Sequence, residues 1–303
     1  MTKVAFICPI YDMKNHFDLA YNLYKSKIDL MIEDDFYFVF SNEEQKEKLT
    51  NRIKNDLGVT ISSIVLDQNL VDLKSKVVVK KMYALRCLMG KYEYLSIIDS
   101  ESLFYKKTDF YKLFKEIWNS KNCLVSNFSL DGFQIISKCF KTLGIYDNKK
   151  LKKAFSYYRY NFWFNEIPVY KCDTLPGFFD WLDTFDINGW GNEWLCFEYY
   201  IYAAYLILEY DFKLKKTQYS SMGGIMEYLY NYPEEQQRKI IDTLGTHWSS
   251  NAKITNDNTY LLFHLDRDAE TKGYSNHISI KAKMYMYLMM YKTIVTDYFK
   301  QLI

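Results

Sequence analysis

The chain has 303 residues, 49% of them hydrophobic and 25% charged, enough to bury a large core in one big domain or two intimately packed ones. A net charge of +2 lacks the basic excess of a dedicated nucleic-acid binder, so no nucleic-acid partner is expected. The opening MTKVAFICPIYD enters a strand at once without a leader pattern, and no apolar run nears the ~20 residues that span a bilayer, which points to a cytoplasmic chain.

In chain order, apolar runs at 4–8, 36–40, 61–66 and 94–98 predict four buried strands. Between them, helical spacing over 14–30 gathers Phe17, Leu19, Ala20, Leu23 and Tyr24 on one face. Ser41-Asn42-Glu43-Glu44 supplies a cap and early negative charge for a helix to about 56, and 74–89 reads as the next helix. Thr108-Asp109 caps a helix to 118, and 123–126 is a fifth strand. Strand and helix alternate through the first 125 residues, which predicts an α/β fold with a mostly parallel sheet covered on both faces. Ligands of such sheets sit outside the carboxyl ends of the strands. Tyr11 and Asp12 after the first strand and Asp99 to Glu101 after the fourth therefore share one rim. No GxGxxG and no GxxxxGK[ST] occurs, which disfavours a dinucleotide dehydrogenase and a P-loop NTPase.

The later part is less regular. The basic, aromatic run KKLKKAFSYYRYNFWF reads as a solvated helix followed by an edge strand, or else puts Arg159, Tyr160 or Trp163 near phosphate or sugar. Residues 175–185 look helical, Gly189-Trp190-Gly191-Asn192 is a turn, and GNEWLCFEYYIYAAYLILEY is an almost wholly apolar, buried helix with Glu198 in its middle. A buried carboxylate is costly unless partnered or used, so Glu198 is either half of a structural ion pair or functional. Met222-Gly223-Gly224 marks a loop and 234–244 a polar helix. A strand over 259–264 ends at His264, which suits a hydrogen-bonded structural histidine, a phosphate contact or a third metal ligand. His247 is a weaker rival for that role. The Met- and Tyr-rich segment 281–303 suits core packing or homodimerisation and leaves peripheral membrane contact open. The six cysteines form no CxxC pair and read as reduced core residues.

The chemistry concentrates in KKMYALRCLMGKYEYLSIIDSESLF: a helix, a turn at Gly90-Lys91, and a strand ending in Asp99-Ser100-Glu101. In an extended segment, residues two apart share a side, so Asp99 and Glu101 could hold one hard divalent cation together with phosphate oxygens. The plainer reading makes Asp99 a cap and Glu101 solvated.

These residues resemble a GT-A-type glycosyltransferase, with an Asp-x-Asp-like motif preceded by a basic helix. CFEYYIYAAYL is similar to the "SEYxLYGxYL" helix of a poorly characterised bacterial glycosyltransferase-like family with a domain of unknown function. The resemblance implies a GT-A-like, Rossmann-like αβα sandwich with an acceptor-side region of mixed helices and short strands. Residues 1–130 would be the nucleotide-sugar-binding half and 131–303 the acceptor-binding and helical half. It implies Mn²⁺ or Mg²⁺ held by Asp99 and Glu101, with Asp99 alternatively on the ribose. Lys80 or Lys81 and Arg86 would steady the diphosphate or sugar, and Tyr11 and Asp12 would border the base. Glu198 would be the general base or an acceptor contact. The donor would be a nucleotide-diphosphate sugar and the acceptor a glycan or glycolipid, at the inner face of the membrane or in the cytoplasm. Two departures stand out: Glu101 replaces the second Asp, and Phe197 stands where the family has Ser. A sugar-phosphate nucleotidyltransferase and a non-catalytic carbohydrate- or nucleotide-binding scaffold are the competing readings. The first normally needs a Gly-rich loop, which Pro9-Ile10-Tyr11-Asp12 does not provide.

Overall fold

A computed structural model describes residues 3–10, 16–70, 72–73, 76–100, 102–104, 107–128, 132–156, 162–164, 167–193, 196–216 and 262–264. The first four strands are β1 (Val4–Pro9), β2 (Asp35–Phe40), β3 (Ser62–Val65) and β4 (Tyr94–Ile97). The helices α1 (His16–Asp29), α2 (Glu43–Leu57) and α3 (Lys76–Leu88) connect them. All four strands are parallel, in the order β3-β2-β1-β4. Alternation sorts β1 between two cores. Val4, Phe6 and Cys8 pack with Leu23 and Tyr24 of α1 and Leu49 and Ile53 of α2, while Ala5 and Ile7 pack with Val78, Val79 and Leu85 of α3. The result is the αβα layering that the alternating pattern predicts. Each fully buried aliphatic or aromatic side chain contributes about 1.5–3 kcal/mol.

Local chemistry sets the helix ends. The Asn42 side chain accepts from Gln45 N at 2.9 Å, and Gln45 Oε1 accepts from Ser41 N at 3.0 Å, a reciprocal cap on α2. Gly58 closes that helix at φ 69°, a left-handed position that favours glycine.

Beyond β4 come β5 (Ser102–Phe104), α4 (Phe110–Asn119), β6 (Asn122–Phe128), α5 (Gly132–Thr142) and α6 (Lys149–Ser156). Then follow β7 (Phe162–Phe164), β8 (Tyr170–Lys171), α7 (Leu175–Leu182), α8 (Ile187–Trp190), α9 (Glu198–Tyr210), β9 (Lys213–Lys216) and β10 (Leu262–His264).

The expected fifth strand, now β6, does not join the central sheet. It forms a second sheet, β7-β6-β9, and the fifth place in the central sheet goes to the antiparallel β8. Strands from the second half thus complete both sheets. The basic run does form a helix and an edge strand, α6 and β7. The glycine-rich turn is the short helix α8, where a side chain on Gly191 would press within 2.7 Å of the Ile187 carbonyl oxygen. All six cysteines are free thiols, five of them buried and Cys87 exposed. No helix among the described residues is long and apolar enough to cross a membrane. The loop at 222–224, the helices at 234–244 and 281–303, and His247 lie outside the described residues.

Candidate functional site

The chain builds β1, β2 and β3 outward in one direction, then crosses back through α3 to place β4 on the other side of β1. This reversal opens a crevice outside the carboxyl ends of β1 and β4, where open α/β sheets bind ligands. The strand pairing runs one residue past β4, with Ile98 N donating to Ile7 O at 2.8 Å, and delivers Asp99 to that rim.

The second turn of α3 supplies two buried lysines. Adjacent helix positions differ by about 100°, so the pair addresses both strand ends. Lys80, 1% exposed, donates to the Ile10 carbonyl just beyond β1 and fixes that exit. Lys81, 2% exposed, places Nζ 2.9 Å from Asp99 Oδ1 and 3.1 Å from Glu198 Oε1. Lys81, Asp99 and Glu198 therefore converge from α3, the β4 exit and the first residue of α9.

The three partners are unequally placed. Glu198 is fully buried, whereas the Asp99 side chain keeps 21% of its surface exposed. Among the described residues neither Glu198 oxygen has a hydrogen bond of good geometry, so its 3.1 Å contact with Lys81 is an ion pair by distance. Burial raises the Glu198 carboxyl above its ordinary pKa and the Asp99 charge adds to this, while Lys81 opposes it. Burial alone would lower the Lys81 pKa, but the two carboxylates outweigh it and raise the ammonium above the ordinary lysine range. Lys81 stays charged, and with both carboxylates ionised the cluster carries a net charge of −1.

Glu198 starts α9 rather than standing in mid-helix, because the residue before it, Phe197, is extended at φ −66° and ψ 132°. The Phe197 cap position offers no side-chain acceptor, so a carboxylate at the first position complements the positive end of the helix. Tyr199 donates to Leu124 O at 2.7 Å, and the Tyr202 hydroxyl lies 2.8 Å from Thr174 Oγ1. These bonds fix the depth at which α9 presents Glu198. Tyr170, buried against Tyr202, has a hydroxyl without a partner among the described residues; burial and the Glu198 charge push its pKa well up.

The other expected residues separate from this cluster or fall outside view. Arg86 lies five positions past Lys81, about 140° around the helix. It pairs with Asp183 at 2.7 Å and sits 4.5 Å from the Phe179 ring centre, pinning α3 to the end of α7. The Asp99 carbonyl oxygen accepts from Ser102 N at 3.0 Å. Glu101, Tyr11 and Asp12 lie outside the described residues. The backbone of His264 stands opposite Ser102 in the β10–β5 pair, and its side chain is likewise outside them. Among the described residues no three His, Cys, Asp or Glu side chains converge as metal ligands, and Asp99 Oδ1 already faces an ammonium. The Lys80–Ile10 anchor escapes sequence reasoning, although two lysines inside VVVKKMYAL signal buried partners for both.

No family model matches the chain, and no curated protein matches it. Among solved structures, it is similar to 4-diphosphocytidyl-2C-methyl-D-erythritolsynthase from Anaerococcus prevotii, at 9% identity over 72% of this chain and 87% of that one, with a TM-score of 0.41. It is also similar to S. aureus TarS at 13% identity over 58% of this chain. That match spans 29% of TarS with a TM-score of 0.33. The TarS 1–349 fragment aligns over 48% of its length with a TM-score of 0.32. Likeness at this level concerns layout and decides nothing about activity.

Proposed function

We propose that the chain is a glycosyltransferase that takes a nucleotide-diphosphate sugar at the β1/β4 rim and transfers the sugar to a hydroxyl of a glycan or glycolipid. The observation that carries this reading is the placement of the ion cluster. A purely structural ion pair has no reason to lie at the topological switch point, nor to leave one carboxylate at the rim while burying its counter-ion. Asp99 then contacts the donor, through ribose or sugar hydroxyls, with its orientation set by Lys81. Lys80 holds the β1 exit that faces the same crevice. Transfer breaks the bond between the anomeric carbon and the diphosphate oxygen and joins that carbon to the acceptor oxygen, whose proton passes to solvent water while the nucleoside diphosphate leaves with the bonding electron pair. Glu198, fully buried behind Lys81, has no surface from which to take that proton; it serves as a positioning residue for Lys81 and Asp99.

The test is product analysis with a panel of nucleotide sugars and nucleoside triphosphates, each with and without Mn²⁺. Release of a nucleoside diphosphate supports the proposal, and release of pyrophosphate from a triphosphate and a sugar phosphate replaces it with a nucleotidyltransferase. Asp99→Asn should lower turnover by about a hundredfold or more if it contacts the reacting donor.

A further inference from the structure

Among the described residues the cluster at the rim sets one ammonium between two carboxylates, so one negative charge is in surplus. Placement decides which carboxylate carries it. Asp99 has the shorter contact with Lys81, 2.9 Å against 3.1 Å, and keeps part of its side chain in water. Glu198 is 0% exposed, and neither of its oxygens has a hydrogen bond of good geometry among the described residues. A fully buried charge with a shared counter-ion and unfilled acceptors is the costlier of the two to keep.

The other titratable groups that face Glu198 cannot relieve it. They are Lys81 from α3, Asp99 from the β4 exit, Tyr170 from β8 and Cys139 from α5. Burial, with the Glu198 charge adding to it, pushes the Tyr170 hydroxyl and the Cys139 thiol well up, so both already hold their protons at neutral pH. The two carboxylates keep Lys81 charged. Glu198 is the buried member with room for a proton, and a further anion nearby would favour its neutral form.

We propose that Glu198 takes a proton from solvent as an anionic donor binds at the β1/β4 rim and returns it when the nucleoside diphosphate leaves. The cluster charge then passes from −1 to zero and back. This inference rests on the donor site proposed above. Uptake comes from bulk water at equilibrium and not from the acceptor hydroxyl, so it requires no contact between Glu198 and substrate; Glu198 stays a positioning residue that also adjusts charge. The complex holds the proton more tightly than the free protein does. Affinity is therefore greatest at low pH and falls, by up to about tenfold per pH unit, between the Glu198 pKa of the free protein and that of the complex.

The test is titration calorimetry of the full chain with UDP-glucose, GDP-mannose, ADP-glucose, CDP-glucose and dTDP-glucose, whose doubly esterified diphosphates do not titrate near neutrality. Each is run in Pipes and in Tris, buffers of low and high ionisation enthalpy, at roughly pH 6, 7 and 8, in EDTA and in Mg²⁺. For the probe that binds, the buffer difference should report uptake approaching about one proton at one or more of these pH values. Glu198→Gln should bind the same probe without uptake and with an affinity that is flat with pH. Should that variant not melt cooperatively, infrared difference spectra of the parent with and without the probe decide the matter. Binding should replace one carboxylate stretch by a carboxylic-acid stretch. Binding without uptake in either condition, uptake that persists in Glu198→Gln, or an unchanged infrared spectrum overturns the inference and leaves the donor site standing. Binding of none of the probes overturns the donor site, and the inference with it.

Discussion

At Lys81 two carboxylates share one ammonium, and the asymmetry predicts unequal mutational effects. Lys81→Met strands two negative charges in or near the core and should cost about 3–5 kcal/mol in urea unfolding. Glu198→Gln keeps the volume and relieves the repulsion between the carboxylates, so it should cost no more than about 1 kcal/mol. Similar losses for both would mean that Glu198 stabilises the fold on its own account. A second residue-scale test lies at Asp34, whose carboxyl burial pushes up to about 6; Lys27 opposes the rise and Asp109 adds to it. A raised carboxyl pKa means the folded state binds the proton more tightly. Its contribution is therefore complete below the unfolded value of about 3.9 and lost as the pH climbs through 6. Asp34→Asn should gain melting temperature relative to the parent across that window and hold the gain at neutral pH. A pH-independent difference would contradict the assignment.

At the scale of the element, the packing of α9 with β8 and α3 limits the chain at alkaline pH. Burial holds the Tyr170 and Tyr199 hydroxyls well above the ordinary tyrosine range, and the carboxylates do the same for Lys81. All three keep their protons more tightly when folded, so stability should fall as the pH passes about 10, where the unfolded groups begin to titrate. Tyr199→Phe removes the bond to Leu124 O and should cost about 1 kcal/mol at neutral pH. Its deficit should shrink above pH 10, which melting curves against pH would register. At the other end of the molecule, Asn42→Ala should cost about 1 kcal/mol through the lost cap on α2 and leave nucleotide binding untouched. That cap was legible in Ser41-Asn42-Glu43-Glu44, because capping is local chemistry. The start of α9 was not. Apolar content runs unbroken through Trp194-Leu195-Cys196-Phe197, and periodicity does not mark where a helix starts within such a run, so the sequence reads Glu198 as mid-helix, whereas it is the first residue of α9.

For the whole molecule, the alternation of strand and helix was enough to foresee the parallel β1–β4 sheet and its carboxyl rim. It could not foresee that β6 leaves that sheet or that β8 closes its edge, since both are pairings between residues far apart in sequence. The same limit applies to the site. Asp99 and Glu198 each stood out locally, yet only the packing of α9 on α3 brings both to Lys81. The most direct test of the central claim is the melting temperature of the full chain against nucleoside diphosphates and their sugars, with and without Mn²⁺. Ligand that binds only the folded state at a hundredfold excess over its dissociation constant stabilises it by ~2.7 kcal/mol. The account predicts such a shift for one base, lost in Asp99→Ala while that variant still melts cooperatively. No shift with any nucleotide, or a shift that survives Asp99→Ala unchanged, would contradict a donor site at the β1/β4 rim.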